Sequence, residues 1–387
     1  MSRSITPDAR PRVIVAPDKF KGSCTARQAG DAIVAGLRAA WGDAVTYRVL
    51  PLADGGDGTV AAFLESGATA VTALVRNPLG EPVTVTYARS GATAIIEMAA
   101  ASGLVLVADR RDARHASSFG TGQLVSHALR NGARHIVLAI GGSATTDGGA
   151  GALAALGIRF LDAAGSELAP NPAALAALAT IDAGRLDARV HSATIEIACD
   201  VDNPLLGPNG AAAVYGPQKG ASNDDVAFLE RVLTRIADAA AATTGRDLRT
   251  LPGAGAAGGI GWACATFLNA RLERGFDIVA KLQGFAAALA GATLCVTGEG
   301  RIDAQSLAGK VIDGVARTAA AARVPVLAIG GSVDPEAATA FAARGVTCEA
   351  LIDDEVATAA ERDRAMREGP AFIRASAERW ARRHPRA

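Results

Sequence analysis

Aromatic residues make up only 4% of this 387-residue chain, and cysteine is sparser still, with five. Half of the residues are hydrophobic and alanine is abundant, so the core must be built from small aliphatic side chains packed between helices and strands. Cys24, Cys199, Cys264, Cys295 and Cys348 are scattered, with no C-x-x-C pair and no histidine spaced as a metal partner. That dispersion excludes a disulfide framework or a zinc module and fits buried thiols in a reducing compartment. Neither sign of charge prevails, since 39 Lys and Arg balance 39 Asp and Glu. Without a net field the chain has no long-range pull on nucleic acid or an anionic membrane, so an anionic ligand must be held by local groups. Long apolar runs are missing too. The N-terminal MSRSITPDARPR lacks the apolar centre of a signal peptide, and the weakly polar stretch 92–108 is interrupted by Glu97, Ser102 and Gly103. The expected setting is the cytoplasm, with neither membrane nor nucleic acid as a partner.

What the chain does have is a repeated grammar. Short β-branched runs alternate with longer helical patterns, the signature of parallel strands joined by helical crossovers. A strand at 12–16 leads through PDKFKGSC to a helix opening near Thr25, where Thr25 and Gln28 form a capping box. Ala29, Ile33, Leu37 and Trp41 then recur at helical spacing and should face the sheet. The same order of strand, acidic glycine loop and helix returns at 45–59, at 135–151, after 294–297 and after 326–329. In open parallel sheets ligands bind beyond the carboxyl ends of strands, so these loops are expected to share one edge. VLAIGGS occurs twice, at 137–143 and 326–332, which reads as two strands of a sheet and not as a duplication. Two regions break the pattern. Residues 71–97 read as an antiparallel hairpin turning at NPLGEP, and 194–281 pass from the strand TIEIACD through a proline- and glycine-rich loop to a long helix near 224–244. The expected architecture is α/β: a parallel-sheet, Rossmann-like three-layer domain from 1–65, 116–190 and 290–387. A second, smaller α/β domain from 66–115 and 191–289 would be inserted into it.

Five polar loops carry candidate chemistry. PDKFKG at 17–22 sets Asp18, Lys19 and Lys21 at a strand end beside a helix N-terminus, a place for a carboxylate or phosphate, or simply a solvated lysine run. ADGGDGT at 53–59 flanks two glycines with Asp54 and Asp57, suited to a metal, a proton transfer or an ordinary turn. IGGSATTDGGAG at 140–151 combines glycines that admit close backbone approach with Ser143, Thr145 and Asp147, as a phosphate and its metal require. In CDVDNPLLGPNGAAAVYGPQK at 199–219, Asp200 leaves an apolar strand directly, as a general base would, and Lys219 can meet phosphate charge. TGEGRIDAQSLAGK at 297–310 gathers Glu299, Arg301, Asp303 and Lys310, yet it is not a Walker A loop because Val311 follows Gly309 and Lys310. GAGAAG at 253–258 satisfies G-x-G-x-x-G, but the polar TTGRDLRTLP before it is no buried strand, so a dinucleotide role lacks its context.

Taken in order, APDKFKGS (16–23), PLADGGDGT (51–59), IEMAAASGL (96–104), SSFGTGQL (117–124), IGGSATTDGGAG, CDVDNPLLGPNGAAAVYGPQKGA (199–221), PGAGAAGG (252–259) and TGEGRID (297–303) resemble the bacterial glycerate kinase family of the type I fold. The resemblance runs nearly the whole chain. Lys19 stands where that family commonly has serine, Asp57 where it has glutamate, and Thr146 where it has asparagine. It implies an enzyme using ATP and Mg2+ to phosphorylate D-glycerate, with 2-phosphoglycerate as product, in a cleft between two unlike α/β domains. The roles expected on that basis are these. Lys21 and Lys19, with Lys219, bind the substrate; Asp200 is the general base; Gly141, Gly142, Ser143, Thr145 and Glu299 bind phosphate or nucleotide. Asp54 and Asp147 hold magnesium, and Arg301 and Lys310 neutralise the transferring phosphoryl. The competing readings are transfer to the 3-hydroxyl, a nicotinamide-dependent dehydrogenase and a non-catalytic binder of glycerate or nucleotide.

Overall fold

The computed structural model describes residues 10–352 and 357–385; the N-terminal segment read above for a signal peptide lies largely outside them. The chain opens with β1 (Arg12–Val15) and the parallel β2 (Thr46–Val49). The helix Ala26–Trp41 connects them, opened by the expected capping box: Thr25 Oγ1 accepts from the Gln28 amide at 3.2 Å, and Gln28 Oε1 accepts from the Thr25 amide at 3.0 Å. Ala29, Ile33, Leu37 and Trp41 are all buried, as their spacing predicts.

Next come β3 (Thr69–Arg76), β4 (Pro82–Ser90) and β5 (Thr93–Glu97), with Arg76 opposite Pro82 across the anticipated hairpin turn. β6 (His135–Ala139) pairs in parallel with β5 and with β9 (Thr194–Ala198), while β7 (Arg159–Leu161) and β8 (Thr180–Asp182) form a separate ribbon. With β10 (Arg271–Glu273) the strand order of this six-stranded sheet is β10-β9-β6-β5-β4-β3. The long helix Asn223–Thr244 falls where it was expected.

The chain then returns to its first sheet through β11 (Leu294–Ile302), β12 (Val326–Val333) and β13 (Val346–Ala350), in the order β13-β12-β11-β1-β2 with every pairing parallel. Residues of both parities are sealed off here: Val13 and Val15 on one face, Ile14 and Cys295 on the other. Such two-sided burial is what a parallel sheet with helices on both faces produces. The helix Gly369–Arg383 packs on Ala26–Trp41, where Trp41 Nε1 donates to the carbonyls of Ala381 and His384, and the Trp41 and Trp380 rings meet edge to face at 5.9 Å.

Two compact units result, Met1–Asp54 with Val279–Ala387, and Gly55–Ile278. These limits differ from those read in the sequence. Residues 116–190 belong to the inserted unit, because β6 hydrogen-bonds to β5 and β9, and this makes the insertion the longer of the two. The two VLAIGGS copies accordingly serve different sheets, as parts of β6 and β12 with the loops that follow. The acidic loops do not share one edge; they divide between the carboxyl edges of two sheets.

Candidate active site

In the inserted unit the carboxyl ends of β6 and β9 lie side by side. Beyond β6 the backbone at Gly141 and Gly142 is exposed, and Gly142 adopts φ +73°. A Cβ on Gly141 would stand 3.4 Å from Gly56 Cα, so the second half of ADGGDGT adjoins this turn, with Asp57 exposed. Beyond β9, Asp200 is exposed and its Oδ1 accepts from the Gly275 amide at 3.0 Å. Bare backbone amides beside an anchored carboxylate offer an anion a cradle and a hydroxyl a base.

The remainder of the 140–149 loop is buried. Ser143 is nearly closed off, and Thr145, Thr146 and Asp147 have no exposed surface. Asp147 accepts four hydrogen bonds: from the Ser118 amide and hydroxyl at 2.8 Å each, and from the Gly149 and Gly151 amides at 3.1 Å each. A carboxylate offers about four acceptor sites. Three of the four bonds fall on Oδ2 and one on Oδ1, and the side chain has no exposed surface, so Asp147 is an internal tie of the loop and presents no open carboxylate. Burial pushes its pKa up, opposed by the Ser118, Gly151 and Gly149 donors.

Lys219 also departs from expectation. It is 1% exposed and donates from Nζ to the Thr145 carbonyl at 2.6 Å, so its ammonium is engaged inside the base of the loop. Burial lowers its pKa to about 7, with the Asp147 charge working the other way. On the opposite flank, the Ala144 amide donates to Ser102 O at 2.9 Å and the Leu104 amide to Gly142 O at 3.0 Å. The GAGAAG segment closes the base. Gly258 sits at φ +73° and a Cβ there would fall 2.0 Å from Thr145 O, while its own carbonyl accepts from the Gly148 amide at 2.9 Å. These glycines exist for close backbone packing, which accounts for the motif without a dinucleotide.

The first unit carries a second set of groups on its own carboxyl edge. Asp18 follows β1, Asp54 follows β2, and Glu299 lies on β11, whose pairing with β12 continues through Ile302 where the sequence had been read as loop. The Asp18 carboxylate is half-buried and accepts from the Lys19 amide at 2.7 Å. Burial, then the charge of Asp54, and beyond it that of Glu299, push its pKa up to about 8. Glu299 rises to about 7, chiefly through burial, with Asp54 and Asp303 adding to the shift and Ser306 and Lys310 opposing it. Its Oε1 is buried with no hydrogen-bond partner. Crowded carboxylates with an orphaned oxygen fit a cation. Among the described residues no three His, Cys, Asp or Glu side chains form a metal cage by themselves. Lys21 is exposed and Lys19 half-buried. Arg301 points to solvent and pairs with Asp303 at 3.4 Å, and Lys310 donates to Gln305 Oε1 at 3.0 Å. The two carboxylates expected around magnesium, Asp54 and Asp147, thus belong to different units.

Sequence reasoning passed over Ser118 and Gly258 as functional supports and gave Asp18 no settled role. The signal for Ser118 was a hydroxyl directly before the helix Phe119–Arg130, but nothing in the sequence tied it to Asp147.

Residues 13–384 match the glycerate kinase family. The chain belongs to that family. A glycerate kinase of Bacillus subtilis (strain 168) is 47% identical over 326 residues, 83% of this chain and 85% of the relative. A glycerate 2-kinase of Escherichia coli (strain K12) is 45% identical, with the same coverage of 83% and 85%. A crystal structure from Salmonella typhimurium LT2, whose description names glycerate kinase 2, superimposes with a TM-score of 0.84 at 40% identity, covering 96% of this chain and 98% of the other. Membership fixes the class of chemistry, that of a kinase, on a mixed α/β scaffold. Among the described residues no helix is long and apolar enough to cross a membrane.

Proposed function

We propose that this glycerate kinase family member transfers the terminal phosphoryl group of ATP to the 2-hydroxyl of D-glycerate, giving 2-phosphoglycerate. The observation that carries the reading is the carboxyl edge of the inserted unit. There the exposed Gly141–Gly142 backbone adjoins Gly56, and an exposed Asp200 is anchored by the Gly275 amide. Phosphoryl transfer asks little covalent work of a protein; it needs donors on the phosphates, a base on the attacking hydroxyl and cations on the developing charge. Gly141 and Gly142 supply the donors, and Asp200 takes the proton of the glycerate hydroxyl. In this reading Lys21 and Lys19 would bind the glycerate carboxylate, and Arg301 and Lys310 would offset phosphoryl charge.

Magnesium, when bound, supplies charge neutralisation of the phosphates. Asp54 with Glu299 would hold it, a reading supported by the orphaned Glu299 Oε1 and by the mutual field of Asp18, Asp54 and Glu299. Magnesium is commonly held by one or two carboxylates plus substrate phosphates, so a closed protein cage is not required. The likeness to a protein named glycerate 2-kinase supports the regiochemistry. The deciding experiment is ADP release dependent on D-glycerate, followed by NMR of the product. 2-Phosphoglycerate is expected; 3-phosphoglycerate overturns the regiochemistry, and ADP release indifferent to glycerate overturns the substrate.

A further inference from the structure

Lys219 is a fully buried lysine, and such groups persist only with a purpose, because desolvating an ammonium is expensive. Its residue lies on the short turn Pro217–Lys219, and the side chain reaches across to the base of the 140–149 loop. There it makes one hydrogen bond, to the Thr145 carbonyl at 2.6 Å, within the field of the Asp147 carboxylate. The carbonyl has little alternative. Gly258 walls it so closely that a Cβ would fall 2.0 Å away, and the nearby Gly148 amide is already donated to Gly258 O. A trans peptide is planar, so fixing the Thr145 carbonyl also fixes the orientation of the Thr146 amide. Asp147 holds the following turn through Gly149 and Gly151 and joins it to Ser118.

Resting on the reading of this loop as the phosphate cradle of a glycerate kinase, we propose that Lys219 is a positioning residue for nucleotide binding. Its ammonium clamps the Thr145 carbonyl and, compensated by Asp147, sets the loop so that the exposed Gly141–Gly142 backbone meets the phosphates. It does not itself touch ATP or glycerate. An apolar side chain of similar length fills the space but leaves the Thr145 carbonyl unpaired and Asp147 without a countercharge. The effect belongs to nucleotide affinity, with glycerate recognition untouched.

The test uses the full chain with Lys219→Met and the double variant Lys219→Met/Asp147→Asn, in which neither member of the pair keeps a charge. Folding is checked by circular dichroism, Mg·ADP binding by calorimetry, and KM for ATP and for D-glycerate in steady state. Lys219→Met is expected to weaken Mg·ADP binding and raise KM for ATP at least tenfold, with KM for glycerate within twofold of the unsubstituted chain. The double variant is expected to show the same split, and it serves should the single one not fold. Unchanged nucleotide affinity in a folded variant overturns the proposal, as does an equal rise in both KM values, the mark of a general structural loss. An unsubstituted chain that forms no ADP with glycerate but binds Mg·ADP in a Lys219-dependent way overturns the kinase reading while sustaining the clamp.

Discussion

The Gly275 amide donates to Asp200 Oδ1 at 3.0 Å, which anchors the proposed base from the start of the helix Gly275–Leu282. Asparagine keeps an oxygen that can accept the same bond but cannot take a proton. Asp200→Asn is therefore expected to fold normally and to lose roughly 10²–10⁴-fold in kcat, the usual worth of a positioned base. Steady-state rates beside a thermal melt check this, and near-normal turnover would remove Asp200 from its role.

Gly258 and Gly245 both adopt positive φ, at +73° and +69°, yet only Gly258 has backbone in the way of a Cβ. Gly245→Ala should cost the conformational strain alone, about 1 kcal/mol. Gly258→Ala must in addition displace the Thr145 carbonyl, so a loss of several kcal/mol or a rebuilt loop is expected. Denaturation of the two variants side by side separates close packing from backbone strain.

Ser118 donates twice to Asp147, by amide and hydroxyl, and its Oγ also accepts from the Ala152 amide at 3.0 Å. Ser118→Ala leaves a buried carboxylate short of one donor and a buried amide without its acceptor. About 1–3 kcal/mol of destabilisation is expected for such a loss, without a change in KM for glycerate. A stability change below about 0.5 kcal/mol in urea titrations would mean that water or a rearranged neighbour takes over.

The ordinary pKa of a glutamate is 4.5, and Glu299 titrates near 7 in the folded ligand-free chain. The folded state then binds a proton that the unfolded state has released, so stability falls as pH rises from about 4.5 through 7. The contribution is full below that window and gone above it. Glu299→Gln does not titrate, and its stability relative to the unsubstituted chain should improve between pH 5 and pH 8. A difference in melting temperature that stays constant across that range would contradict the burial of Glu299.

Much of the local structure was legible because it is local. Thr25 and Gln28 are one helical turn apart, the NPLGEP hairpin carries its own turn residues, and the amphipathic spacing of Ile33 and Leu37 names its buried face. Partners far along the chain were not legible. The same heptapeptide VLAIGGS enters two sheets, since a buried parallel strand of Val, Leu, Ala and Ile says nothing about which neighbours will pair with it. The extension of β11 through Ile302 depends on β12 in the same way. At the site, the residue types were found but several orientations were not. Asp147 read as a metal ligand because the Ser118 donors it accepts from lie 29 positions earlier, and Lys219 read as a partner for phosphate charge because its own partner lies 74 positions earlier. GAGAAG was set aside for lack of a preceding strand, correctly, but its value as the wall behind Thr145 is a property of contact that the sequence does not display.

The order of the first sheet, β13-β12-β11-β1-β2, also has a bearing on how the protein is made. β1 sits between β2, which leaves the ribosome soon after it, and β11, which cannot appear until all of Gly55–Ile278 has been synthesised. The inserted unit contains every strand of its own sheet and can close while the chain is still growing. β1 must wait with one edge unpaired for β11, and Ala26–Trp41 for the later-made helix Gly369–Arg383 to cover it. Nascent-chain truncations should accordingly show a protease-resistant inserted unit well before β1 and β2 gain any protection, so that strands translated ahead of the insertion become native after it.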